Sequence, residues 1–152
     1  IKDLLNSNDV YLQDIGFFLE KWIDDKTYII VSTSGSTGRP KEIKLDKKHM
    51  KNSALATGVF FDLKENTKAL LCLSSSYIAG KMMLVRALVL GWDIHLVSPI
   101  SNPLKNLNQN YDFCAMVPLQ VASSLNDLYK IKKIIIGGGV VSLKLQNKLQ
   151  NV

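Results

Sequence analysis

The chain has 152 residues, of which 47% are hydrophobic and 21% are charged, and its formal net charge is +6. This length suits a single domain with a core of its own. Its apolar runs are far shorter than the roughly 20 residues that cross a bilayer, and no segment has the form of a signal peptide. We therefore expect a globular protein without a membrane partner.

The excess of basic residues raises the question of a nucleic-acid partner. The lysines are scattered, with small groups only at 47–51 and 130–133, and no stacking aromatic side chains lie between them. Because a nucleic-acid-binding motif is also missing from the sequence, we expect no nucleic-acid partner. Attraction of anionic small molecules is an equally good use of the charge.

The two cysteines, Cys72 and Cys114, each lie inside an apolar run. Their spacing fits neither a metal site nor a disulfide framework. We expect buried free thiols and a reducing, cytoplasmic location.

The first part of the chain predicts a helix, two strands and a second helix. Residues 10–24 carry apolar side chains on one side of a helix, and 28–32 form a β-branched, aromatic run typical of a buried strand. A glycine-rich segment follows, and residues 42–45 then alternate as a strand does. Asp46 is a good N-cap for a helix over 47–60.

Strands and helices alternate regularly in the rest of the chain. The predicted elements are strands at 69–73, 93–98, 113–117 and 133–136, with helices at 78–90, 119–128 and from Ser142 onward. Gly91 closes the helix at 78–90, and residues 102–110 form a polar connection with weak helical character. This alternation predicts an α/β fold with a mostly parallel sheet covered by helices on both faces.

A segment rich in glycine and hydroxyl residues, Thr33-Ser-Gly-Ser-Thr-Gly-Arg-Pro-Lys41, separates the first two predicted strands. Glycines let backbone N–H groups approach a ligand closely. Successive N–H groups form a concave anion site, to which hydroxyls add donors. Since Lys41 adds a positive charge at the far end, we expect the loop to bind a polyphosphate rather than to be a plain surface turn.

The same segment is not a Walker A loop. That motif places Gly-Lys-Ser/Thr at the start of a helix, whereas Lys41 follows Pro40 and precedes a predicted strand. A loop between two strands indicates a different class of nucleotide enzyme.

The segment from Thr33 to Lys41 resembles the signature loop of the AMP-forming adenylating superfamily, which includes acyl-CoA synthetases, adenylation domains and luciferases. It matches the form Ser/Thr-Ser-Gly-Ser/Thr-Thr-Gly-x-Pro-Lys at every defined position. The resemblance implies a substrate acid that attacks ATP, with Mg²⁺ as cofactor, and a CoA thiol that captures the acyl-adenylate. It implies a catalytic Lys41 and ATP-phosphate contacts from Thr33, Ser34, Gly35, Ser36, Thr37, Gly38 and Lys41.

Further segments extend the resemblance over about residues 28–150. Tyr77-Ile-Ala-Gly80 stands where the family has an aromatic or histidine segment lining the acid pocket, with Tyr77 in place of the histidine. Val117-Pro-Leu-Gln120 resembles a segment beside the acid site. Gly137, Gly138 and Gly139 follow a predicted strand and resemble a segment that lies against the adenine and the acyl chain. The resemblance thus implies substrate contacts at Tyr77 and Gly80 and cofactor contacts at the three glycines; a half-buried loop aromatic and a bare turn are the alternatives.

The stretch from Tyr77 to Arg86 is similar to that of the o-succinylbenzoate–CoA ligases of menaquinone biosynthesis, which have an arginine at the same distance from the glycine. An arginine buried on this helix suits the second carboxylate of a dicarboxylic acid, which it binds through two hydrogen bonds. The alternative is a side chain that extends to the surface.

Later motifs of the family do not occur in residues 1–152, among them the Tyr-Gly-x-Thr-Glu segment that assists Mg²⁺ binding. We therefore interpret residues 1–152 as part of an N-terminal AMP-binding domain, and we expect this chain alone to have negligible ligase activity. Two alternatives stay open: an enzyme that activates a fatty acid or an amino acid, and a non-catalytic module that binds phosphate or nucleotide.

Overall fold

The computed structural model describes residues 1–33 and 41–150. Within these residues it contains six α-helices, one 3₁₀ helix and six strands. In chain order they are α1 Lys2–Leu5, α2 Val10–Ile23, β1 Tyr28–Thr33, β2 Lys41–Asp46, α3 Lys47–Phe60, β3 Lys68–Leu71, α4 Ile78–Leu90, β4 Asp93–Leu96, β5 Tyr111–Met116, α5 Pro118–Ser123, the 3₁₀ helix Leu125–Lys130, β6 Ile131–Ile136 and α6 Leu143–Leu149.

The strands form two sheets. β1 and β2 make an antiparallel hairpin whose register runs from Tyr28 opposite Asp46 to Thr33 opposite Lys41. The other four strands are all parallel, in the order β4-β3-β5-β6. The predicted α/β class is confirmed, and so is the arrangement of two strands around the glycine-rich segment.

Helices cover both faces of the parallel sheet. On one face, Leu71 and Phe113 belong to a buried cluster that includes Ile15 of α2, Ala54 of α3 and Met83 of α4. On the other face, the alternate residues of the same strands belong to a second cluster with α5, the 3₁₀ helix and α6. Because helices cover both faces of the two central strands, β5 and all of β3 after Lys68 are largely buried.

Two helix ends form as their sequences predict. The Asp46 carboxylate accepts hydrogen bonds from the backbone N–H of Lys48, at 2.6 Å, and of His49, at 3.4 Å, and so caps α3. Gly91 ends α4 in the left-handed conformation, with φ of 68°. Both boundaries are therefore confirmed, and with them the connections that lead β2 into α3 and α4 into β4.

The single helix predicted over 119–128 is wrong. α5 ends at Ser123, and a 3₁₀ helix, Leu125–Lys130, follows it. Tertiary contacts favour this tighter path: the buried Ser124 hydroxyl donates to Asn102 Oδ1 at 3.0 Å, and the buried Lys130 ammonium donates to the Leu104 carbonyl at 3.1 Å. Both contacts hold the 102–104 segment against this part of the chain, and such long-range bonds have no local signal in the sequence.

None of the helices in the described ranges is both long and apolar enough to cross a membrane.

Candidate functional site

A cavity of about 190 Å³ lies where three parallel strands end. The segments that follow β3, β5 and β6 contribute to it, and one side of α4 between Ile78 and Arg86 closes it. Its lining residues are Leu73, Ile78, Ala79, Met82, Arg86, Ala115, Met116, Val117, Ile135, Gly137 and Gly138. The carboxyl ends of strands are the usual binding edge of an open α/β sheet, which makes this cavity the candidate site.

Arg86 is the one charged side chain among the described residues that line the cavity. Its Nε–H donates to the Thr57 hydroxyl at 3.2 Å. Burial lowers the pKa of the guanidinium, and no carboxylate of the described residues forms an ion pair with it. A half-buried cation without a counter-ion is unfavourable, so an anionic ligand group in the cavity would be favoured at this point.

The glycines after β6 leave one wall of the cavity open. A Cβ placed on Gly137 would meet no atom within 4 Å, so its space is free for a ligand. Gly138 has φ of 76°, a conformation that side chains disfavour. Gly139 lies beside Pro118, with 3.7 Å between the ring and an added Cβ. Of the three glycines named from the sequence, Gly137 and Gly138 line the cavity and Gly139 does not.

Tyr77 and Gly80 lie at the start of α4, outside the lining of the cavity. Tyr77 is the residue before the helix, and its side chain is 64% exposed. Gly80 is buried against the turn at 74–76, where an added Cβ would be 2.2 Å from the Ser74 carbonyl oxygen. The ammonium group of Lys81 donates to the carbonyls of Ser75 and Ser76 and fixes the same turn. Gly80 thus determines the position of the segment that carries the nearby cavity residues.

Gln120 joins three segments at the edge of the site. Its amide nitrogen donates to the carbonyl of Cys72 at 2.8 Å and to that of Ile100 at 3.1 Å. Its amide oxygen accepts from the backbone N–H of Val117 at 3.2 Å. The segment that contains Gln120 was recognisable in the sequence but this role was not, because two of its three partners, Cys72 and Ile100, are distant in the chain.

The hairpin brings Thr33 and Lys41 opposite each other at the two ends of the glycine-rich loop. Ser34, Gly35, Ser36, Thr37 and Gly38 lie outside the described residues. The phosphate contacts expected of the loop, including those of Thr33 and Lys41, therefore stay predictions.

Proteins that resemble this chain in sequence or in structure include ligases. A crystal structure from Dyadobacter fermentans, described as an acyl-CoA synthetase (AMP-forming)/AMP-acid ligase II-like protein, is 35% identical with a TM-score of 0.86; the match covers 96% of this chain and 44% of that one. A Mycobacterium tuberculosis protein described as a probable 2-succinylbenzoate–CoA ligase is 29% identical over 131 residues, 77% of this chain and 34% of its own length. No family model matches the chain.

A Bacillus subtilis o-succinylbenzoate CoA synthetase, solved with ATP and a magnesium ion, shares the fold at 24% identity and a TM-score of 0.71, over 80% of this chain and 27% of its own. The fold is α/β, and its structural neighbours are domains of adenylate-forming enzymes. More specifically, the chain is a relative of the AMP-forming acyl-CoA synthetases. It spans about a third of the length of the curated Mycobacterium relative.

Proposed function

We propose that the protein is an AMP-forming acid:CoA ligase whose acid carries a second carboxylate, as o-succinylbenzoate does. The observation that carries this proposal is Arg86, a cation in an apolar cavity that has no carboxylate partner among the described residues. The names of the relatives support the same substrate. The protein would then act in the cytoplasm, in menaquinone biosynthesis.

The cavity has apolar walls and one cationic side chain, and each would recognise a different part of such an acid. The apolar side chains of Leu73, Ile78 and Met82 suit an aromatic ring or a carbon chain. The terminal nitrogens of Arg86 suit a carboxylate, which accepts two parallel hydrogen bonds from a guanidinium. A monocarboxylic acid would leave this cation without a partner, and a site with such an unpaired group discriminates by large factors.

The nucleotide is expected on the open side of the cavity. Gly137, with no atom within 4 Å of an added Cβ, leaves room for a flat ligand beside the acid. The glycine-rich loop would hold the phosphates of ATP, with Lys41 as a cation at its far end. Mg²⁺, which is usually bound through substrate phosphates with few protein ligands, would enter the site together with ATP.

The reaction proposed has two steps. A carboxylate oxygen of the acid bonds to the α-phosphorus while the bond to pyrophosphate breaks. The CoA thiol then loses its proton and bonds to the acyl carbon while AMP leaves. The task of the cavity is to orient the acid and exclude water, and a positive charge near the reacting phosphates stabilises the charge that develops there.

An acid panel tests the proposal. The complete gene product would be incubated with ATP, Mg²⁺, CoA and one acid at a time: o-succinylbenzoate, 4-oxo-4-phenylbutanoate as the matched monocarboxylic acid, palmitate and an amino acid. We expect AMP and the acyl-CoA to form in equal amounts, with kcat/KM for o-succinylbenzoate about 100-fold above that of the monoacid. A preference for palmitate or the amino acid would overturn the proposal of a dicarboxylic acid substrate. ATP binding without acid-dependent formation of AMP would indicate a non-catalytic module.

A further inference from the structure

Helices α3 and α4 pack closely against each other at Gly58 and Leu90. A Cβ on Gly58 of α3 would be only 3.0 Å from side-chain atoms of Leu90 on α4. Ala54, one turn before Gly58, is completely buried. Arg86 precedes Leu90 by one turn and therefore faces the same way. Small residues on α3 thus bring its backbone within reach of the arginine that lines the cavity.

Thr57, the neighbour of Gly58, contacts Arg86 at this close approach. The Thr57 hydroxyl donates its one proton to the carbonyl of Ser53 at 2.9 Å. Only the lone pairs of its oxygen remain, and one of them accepts the Nε–H of Arg86 at 3.2 Å. The hydroxyl is therefore held as an acceptor, and it cannot turn to donate elsewhere without breaking a bond to α3.

This bond fixes the direction of the rest of the side chain. A guanidinium is planar, so anchoring Nε determines the plane in which the two terminal nitrogens lie. Thr57 itself is not among the cavity-lining residues, whereas Arg86 is. Holding a long side chain in one rotamer before the ligand arrives removes an entropic cost of binding.

We propose that Thr57 is the positioning residue of the acid site: it orients Arg86 toward the second carboxylate and so sets the preference for a dicarboxylic acid over a monocarboxylic one. Its part in that preference depends on the proposed function, whereas its hold on Arg86 does not. Thr57 is assigned no contact with the acid, so its removal changes affinity for the diacid and leaves the chemical step intact.

Two variants separate positioning from simple structural support. Thr57→Val keeps the shape of the side chain and loses the acceptor, and Thr57→Ser keeps the acceptor. In the complete gene product we expect Thr57→Val to raise KM for o-succinylbenzoate about tenfold with kcat within about twofold. KM for 4-oxo-4-phenylbutanoate stays unchanged, and Thr57→Ser restores the wild-type value for the diacid. Thermal denaturation of each variant controls for folding.

A nuclear magnetic resonance measurement tests the hold on Arg86 without any acid. The Nε–H resonance, assigned by its loss in Arg86→Lys, should exchange with solvent at least about tenfold faster in Thr57→Val than in the wild type or Thr57→Ser. An unchanged exchange rate overturns the inference, and so does an equal rise of KM for both acids. If exchange responds as expected but the wild type activates neither acid, the proposed function fails and the hold of Thr57 on Arg86 stands.

Discussion

Gly80 of α4 lies directly against the backbone of Ser74, with no room for a side chain between them. A Cβ on Gly80 would be 2.2 Å from the Ser74 carbonyl oxygen and 2.6 Å from its carbonyl carbon, far inside van der Waals contact. The turn at 74–76 can pack on the start of α4 only when residue 80 is glycine. Because Ile78 and Ala79 line the cavity, the same contact positions one of its walls.

Gly80→Ala should therefore destabilise the protein by about 3 kcal/mol, since backbone atoms rather than flexible side chains must move. The free energy of unfolding in urea measures this. Gly137→Ala is the matched control, because its Cβ meets nothing within 4 Å: we expect a change in stability below about 1 kcal/mol but weaker ligand binding. Equal stabilities of the two variants would contradict the account.

Gln120→Leu should cost about 2–4 kcal/mol. The substitution leaves the carbonyls of Cys72 and Ile100 and the N–H of Val117 without their partner, and each buried group that stays unpaired carries a penalty. Gln146→Leu is the control, since Gln146 donates to the Val141 carbonyl at an exposed position. Chemical denaturation measures the free energy of unfolding of both variants. A similar loss of stability at the two positions would show that the three hydrogen bonds of Gln120 do not contribute more than an exposed one.

The ion pair between Lys47 and Asp24 should make stability depend on pH. The ammonium of Lys47 donates to the Asp24 carboxylate at 2.8 Å, and this hydrogen bond lowers the pKa of Asp24 below its usual 3.8. A depressed pKa means that the folded state favours the ionised form, so the stabilisation is present above pH 3.8 and disappears as pH falls through the folded-state pKa.

Asp24→Asn tests this dependence. Its loss of stability relative to the wild type should be largest near neutral pH, small in strong acid, and reduced by added salt, because the carboxylate is partly exposed. Urea denaturation across the acidic range measures the difference. A difference that does not vary with pH would mean that the pair contributes nothing through its charge.

Local signals made much of the fold predictable. The N-cap Asp46 and the C-cap Gly91 determine helix ends through their own backbone contacts, so their identities suffice. The alternation of apolar strands and helices predicted the parallel sheet, because a helix between two strands returns the chain to the edge where the first strand began. The break between α5 and the 3₁₀ helix was missed, because Ser124 and Lys130 bond to residues about twenty or more positions away.

The site was only partly predictable. A motif and a glycine run located Arg86, Gly137 and Gly138, all of which line the cavity. Thr57 was not foreseen, since its contact with Arg86 joins residues 29 positions apart on two helices whose close packing depends on Gly58. The spatial neighbours of a half-buried arginine become known only when the packing of its helix is known.

The most direct test of the central claim is ATP–pyrophosphate exchange by the complete gene product, comparing wild type with Arg86→Leu on o-succinylbenzoate and on 4-oxo-4-phenylbutanoate. Circular dichroism would establish that the variant is folded. We predict that kcat/KM for the dicarboxylic acid falls at least about 100-fold, whereas the value for the monocarboxylic acid changes less than about threefold. An equal fall for both acids, or no fall for either, would contradict the role of Arg86 as the partner of the second carboxylate.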